Sequence, residues 1–178
     1  MADLTRCLAR LRVPLGFAFA FLVFWLSQPS RRTLLVGGVV AVTGEALRVW
    51  AAGHLNKSRE VTASGPYRFF AHPLYVGSSI MGGGLAIASG SVVVAAIIAL
   101  YLGATITAAI SSEEAFLRSK FGSEYDHYRR GEVGVRDAGA STRAFSVAQA
   151  MANREYRAVA GLAATIVVLA LEALYWAR

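Results

Sequence analysis

The chain has 178 residues, 56% of them hydrophobic and only 16% charged, with a formal net charge of +7. Such a balance in so short a chain argues against a soluble domain and for a membrane-embedded body. The basic excess suits an anionic leaflet, no nucleic-acid reading element appears in the sequence, and the single cysteine, Cys7, rules out an internal disulfide or a cysteine-rich metal site.

A helix that spans a bilayer needs about 20 mostly apolar residues. Five stretches qualify, at 13–27, 33–53, 74–89, 91–110 and 158–176, the first and third being short. Lipid offers the backbone no partners, so such runs form helices or a closed barrel, and the period-two alternation of a barrel is absent. The expected fold is therefore all-α: residues 1–178 forming one integral membrane helical bundle of about five transmembrane helices, with interfacial helices on the cytoplasmic side. In the first span bulky Phe24, Trp25 and Leu26 precede Gln28-Pro29 without a small-residue cleavage site, so it is expected to stay as an anchor.

In the second span Glu45 and Arg48 lie three apart on one helical face. An ionisable pair at that depth is a functional candidate, a structural ion pair being the alternative. Next comes Gly65-Pro66-Tyr67, then His72-Pro73-Leu74-Tyr75-Val76-Gly77. The two prolines fix φ and bias their predecessors away from helix, so 64–73 reads as a stiff turn entering the third span. Such a turn holds His72 and Tyr75 where the free N–H groups of a helix start also point. The plainer reading makes Pro73 the first helical residue and the rings interfacial anchors.

Ser89-Gly90-Ser91 is the one break between 74 and 110, which predicts a tight antiparallel hairpin of the third and fourth spans. Small residues four apart, Ser79 with Gly83, Gly82 with Ala86, Gly84 with Ala88 and Ala104 with Ala108, are expected to line its contact. Glu113 and Glu114 then stand where the fourth span ends. Carboxylates there oppose the helix macrodipole unless they bind something positive. Leu117, Phe121, Tyr125 and Tyr128 follow at spacings of four, four and three, one stripe of an amphipathic helix able to lie on the bilayer and cover a pocket. His54 and His127 read as interfacial residues, and 133–157 as a flexible connection that ends in a short surface helix. Fourteen Lys and Arg residues flank the spans on one side and three on the other, which places the N-terminus and both polar stretches in the cytoplasm and the C-terminus outside.

Together the two polar stretches, the second comprising Glu113-Glu114, Phe121-Gly122, Tyr125 and Tyr128, resemble the isoprenylcysteine carboxyl methyltransferase family and the related phospholipid methyltransferases of membranes, over about residues 48–131. The resemblance implies S-adenosylmethionine as cofactor, held without a Rossmann domain. It places Tyr67, His72, Pro73, Leu74 and Tyr75 around the cofactor, with backbone contacts near Val61 and Thr62 and a carboxylate from Glu113 or Glu114. Arg48 and Glu45 are the candidates beside the substrate head group, and no metal is implied. The implied reaction is methyl transfer to a lipophilic small molecule or lipid in a bacterial inner membrane, with carboxyl O-methylation of an isoprenylcysteine-type acid leading. A carboxylate is already ionised and needs only positioning and exclusion of water, whereas the alternative, N-methylation of an amine or phospholipid, needs a deprotonation first. A non-catalytic lipid-binding module and a membrane reductase are the remaining readings. Two departures stand out: Ala71 where the family carries Arg before His-Pro, and the stretch 108–112 without the arginine that prenylcysteine enzymes add before the glutamate pair.

Overall fold

The computed structural model describes residues 21–56, 61–130 and 144–176. Expectations that fall elsewhere, among them most of the first span, Cys7 and the glycine-containing connection after residue 131, lie outside the described residues. Every described element is helical: α1 (Arg31–His54), a 3₁₀ turn (Gly65–Arg68), α2 (Pro73–Ala88), α3 (Val92–Phe121), α4 (Ser123–Arg129), α5 (Val147–Ala152) and α6 (Tyr156–Trp176). Among the described residues α1, α3 and α6 are long and apolar enough to cross a membrane, and α2 is a shorter apolar helix. The protein is an integral membrane protein with an all-α bundle.

Local chemistry sets the helix starts. Ser30 and Thr33 form a reciprocal capping box that satisfies two orphan N–H groups at the head of α1. Ser91 accepts from the Val94 N–H at the head of α3. Pro73 is the first residue of α2, with His72 as its N-cap.

Among the described residues the closest packing joins α1 to α2, antiparallel, through stripes of small residues on both helices. A Cβ at Gly84 would lie 2.3 Å from the Ala41 backbone nitrogen, and one at Gly44 would lie 2.4 Å from that of Met81. Only hydrogen atoms on these faces let the main chains approach so near, which maximises dispersion contacts where lipid removes the hydrophobic drive. This corrects the expectation for the hairpin. Gly84 and Ala88 face α1, whereas on the α3 side Gly82 meets the longer side chains of Leu102 and Ile98. The hairpin turn itself is present at Ser89-Gly90-Ser91. It docks on the segment before α1, where the Gln28 N–H donates to the Ser89 carbonyl at 2.7 Å.

Three further expectations change at the other end of the bundle. Helix α3 runs 30 residues, about 45 Å by helical rise, so it continues past the hydrocarbon and past Glu113 and Glu114 as far as Phe121. The glutamates therefore sit well before the helix end, and Arg118 and Lys120 occupy its last turn, as the macrodipole favours. The chain then breaks at Gly122, which adopts φ +53°. The stripe Leu117, Phe121, Tyr125 and Tyr128 is thereby divided between α3 and α4 instead of lying on one helix. His54, expected at the interface, is buried between Ser64, Trp50 and Phe145.

Candidate functional site

Residues 61–72 fold back beneath α1 because Gly65 reverses the chain with φ +58°, where a Cβ would strike the His54 ring at 2.5 Å. Pro66 opens the 3₁₀ turn that follows and is fully buried. The turn is tied to α4, since the Tyr128 hydroxyl donates to the carbonyl of Tyr67 at 3.0 Å and lies 3.4 Å from that of Phe70. The proline-stiffened segment and the region beyond the glutamates, 61 residues apart in sequence, are therefore held face to face.

Between them is a cavity of about 660 Å³, lined by Val61, Thr62, Tyr67, His72, Leu74 and Tyr75 from one side and by Ser112, Glu113, Phe116, Leu117, Tyr125 and Tyr128 from the other, with Arg48 in its wall. His72 bridges the halves: its Nε2 lies 3.3 Å from Glu114 Oε1 and its Nδ1 3.8 Å from Glu113 Oε2. Glu114 turns away from the cavity and is gripped by Arg129 at 2.9 Å and Arg118 at 3.4 Å. Glu113 lines it and faces the Tyr75 hydroxyl. The structure thus divides the glutamate pair: Glu114 braces His72, and Glu113 presents its carboxylate to the interior. Pro73 is buried at the helix start without lining the cavity, and Glu45 lines a different hollow. A smaller hollow of about 410 Å³ between α2 and α3 shares Ala71, His72 and Tyr75 with the cavity and continues past Val76, Ser79, Ile106 and Ile110.

Arg48 is the most connected side chain here. Its Nε donates to Glu155 Oε1 at 2.8 Å and lies 3.3 Å from Glu45 Oε2, while its other nitrogens reach Glu155 at 2.7 Å and the Ser78 hydroxyl. Glu155 is placed by the turn between α5 and α6, where Arg154 takes a left-handed conformation with φ +61°. That turn is fixed to α1 in its own right: Asn153 and Gln149 donate side-chain N–H groups to the Ala52 and Leu55 carbonyls at the end of α1. Sequence reasoning found Glu45 and Arg48 and missed Glu155 and Ser78. An acidic residue just before an apolar helix reads as an ordinary favourable helix start, and nothing local linked it to an arginine 107 positions away.

Burial raises the phenol pKa of Tyr67 well above its usual value, with the Glu113 carboxylate adding to the effect. Burial likewise raises Tyr128, with Tyr125 as its next cause, and Tyr125, with Glu114 as its next. All three rings are held neutral at physiological pH. The Tyr125 ring is 1% exposed, yet its hydroxyl has no hydrogen-bond partner among the described residues. A buried hydroxyl without a partner costs about 1–3 kcal/mol, so an enclosed ligand with a polar edge would satisfy it. Aromatic faces, one inward carboxylate and a volume within the range of about 300–1,000 Å³ typical of cofactor sites suit a compact cationic molecule with an aromatic base.

Comparison with known proteins bears on this arrangement. The family described as phospholipid methyltransferase matches residues 12–124. The chain is 34% identical to the nickel-cobalt-cadmium resistance protein NccN of Alcaligenes xylosoxydans over 108 residues, 60% of this chain and 49% of the relative. It is 33% identical to the cobalt-zinc-cadmium resistance protein CzcN of Cupriavidus metallidurans over 129 residues, 67% and 58% of the two chains. It is 32% identical to the protein-S-isoprenylcysteine O-methyltransferase of Schizosaccharomyces pombe over 87 residues, 49% and 37%. The chain thus spans about half the length of the curated relatives it matches. No solved structure matches it.

Proposed function

The chain belongs to the phospholipid methyltransferase family, and from that membership we propose that it is an integral membrane methyltransferase that takes S-adenosylmethionine and modifies a lipophilic acceptor. The observation that carries the reading is the convergence of His72, Glu113 and four tyrosines on one cavity. The residues present fit the cofactor. Glu113 would pair with its ammonium, the rings of Tyr67, Tyr75 and Tyr125 would face its sulfonium and base, and the free Tyr125 hydroxyl would gain a partner. Bound there, the cofactor supplies an electrophilic methyl group. Glu114 holds His72 in place, the Tyr128 hydroxyl keeps α4 closed over the cavity, and this closure keeps water from the donor.

Carboxyl O-methylation of an isoprenylcysteine-type acid leads among the acceptors. A carboxylate acceptor is already ionised and asks the protein only for position, so this reading rests on that economy and not on Arg48, which Glu155 and Glu45 already engage. The hollow between α2 and α3 that shares His72 and Tyr75 offers a lipid tail a lateral way in. The family's description favours the second reading, transfer to a phospholipid amine. The basic residues gathered at this end of the bundle orient the site toward the cytoplasm, across a bacterial inner membrane. Membranes containing the protein, incubated with methyl-labelled cofactor, separate the acceptors: an ester releases labelled methanol in alkali and an N-methyl product does not. Absence of cofactor binding by calorimetry refutes the proposal, and binding of NADPH instead supports a reductase.

A further inference from the structure

Ala71, His72 and Tyr75 belong to two hollows at once: the cavity proposed for the methyl donor, and the hollow of about 410 Å³ between α2 and α3. Two of the three are fixed. Glu114 holds His72 at 3.3 Å, Tyr75 faces Glu113, and the His72 and Tyr75 rings stand 5.9 Å apart. Ala71 brings only a methyl group, so the width of the passage depends on it. The hollow does not end there. Through Ser79 and Ile106 it runs into a further one of about 330 Å³, which reaches Ala86 on α2 and Ala95 on α3. From Tyr75 to Ala86 the α2 wall extends about 16 Å by helical rise, close to half of a hydrocarbon core about 30 Å thick.

The chemistry of this groove selects its occupant. The Ser79 hydroxyl donates to the Tyr75 carbonyl at 3.0 Å and the Thr107 hydroxyl to the Gly103 carbonyl at 2.7 Å, so both spend their protons on their own helices. Beyond His72 and Tyr75 the lining has no ionisable residue. At Gly83 and Gly103 an added Cβ would meet nothing within 4 Å, which gives the groove its width. We propose that the groove holds the hydrocarbon chain of the methyl acceptor, threaded past Ala71 from the donor cavity, with Gly83 and Gly103 setting the length accepted: one flexible chain, about a leaflet long. The inference rests on the methyl-transfer reading above and names the part of the acceptor that the α2–α3 hairpin recognises. Lipid solvates such a chain as well as the groove does, so the groove contributes position more than affinity. A chain lying in it delivers the head group to the donor in one orientation.

Photolabelling reads the register of the chain. The protein in phosphatidylcholine nanodiscs is irradiated with N-acetyl-S-alkylcysteines and with alkyl phosphoethanolamines. Each series has octyl, dodecyl and hexadecyl chains with a diazirine at the tip, and the labelled residues are found by mass spectrometry. In at least one series the label is expected to move with chain length, from beside Ser79 and Ile106 for octyl to beside Ala86 and Ala95 for the longer chains. The series that does so identifies the head group. Gly103→Leu fills the groove and should cut labelling at Ala86 and Ala95 about tenfold, equivalent to about 1.4 kcal/mol, while octyl labelling beside Ile106 is kept. Ala71→Leu narrows the passage and should cut labelling by every chain. Label spread over the lipid-facing helices regardless of chain length, or a register that Gly103→Leu leaves unmoved, overturns the inference. Calorimetry with S-adenosylmethionine separates the failures, the parent and Gly103→Leu being expected to bind alike. Cofactor binding without an ordered label refutes the groove alone, and absence of binding refutes the methyl-transfer reading with it.

Discussion

Gly83 and Gly84 are neighbours on one helix, and replacing each with Ala should have opposite results. At Gly83 an added Cβ meets nothing within 4 Å, so the change acts through the backbone alone and Ala gains about 0.5–1 kcal/mol over Gly in a helix interior. At Gly84 the same carbon would stand 2.3 Å from the Ala41 nitrogen and 2.6 Å from the Gly37 carbonyl oxygen. Those atoms are main chain and cannot swing aside. Helices α1 and α2 must separate by about 1 Å to reach ordinary contact, and a gap of that size forfeits about a quarter to a half of each dispersion contact along the interface. With overpacking costs of about 1–3 kcal/mol, the two proteins should differ by about 2–4 kcal/mol in unfolding by dodecyl sulfate in mixed micelles. Since α1 carries Arg48 and α2 begins beside His72, Gly84→Ala should also weaken S-adenosylmethionine binding, and Gly83→Ala should not. Equal stability of the two variants would refute the assignment of this face to the α1–α2 contact.

Glu114→Gln leaves the cavity lining intact but loosens His72, Arg118 and Arg129. Cofactor affinity in calorimetry should fall about tenfold, the size of one lost charge-assisted hydrogen bond of about 1.5–3 kcal/mol, and Glu113→Gln should cost more because its carboxylate faces the ligand. Tyr128→Phe removes the link to the Tyr67 and Phe70 carbonyls and should speed hydrogen exchange in 123–129 by an amount equivalent to about 0.5–1.5 kcal/mol. Alkaline titration should open the same lid. These phenols have an ordinary pKa near 10, and burial raises it in the fold, so their contribution to stability is complete below about pH 10 and is lost as pH rises toward the raised folded values. Phenolate absorbance appearing with the normal midpoint, without unfolding, would contradict it. Glu155→Ala strips Arg48 of two of its contacts and should lower thermal stability by about 1–3 kcal/mol, while Glu155→Gln, which keeps one acceptor, should recover part of the loss.

The amino-acid sequence alone located α1, α2, α6 and the start of α3, since hydropathy, capping residues and prolines act on the chain within a few residues of themselves. It also identified the two walls of the cavity, because a single apolar hairpin must return its ends to the same membrane face. Tertiary structure decided what depends on remote partners. Stripes of small residues occur on several helices, and only packing chose α1 rather than α3 as the mate of Gly84. Helix α3 carries on through Glu113 and Glu114 because its next turns find water, α4 and the His72 loop. Arg48 meets Glu155 because a left-handed turn at Arg154 brings the last helix back to the first. That meeting leaves Glu45 in a buried ion pair outside the lining of the cavity: ion-pair geometry is fixed by which backbones approach, a property no local window of sequence contains.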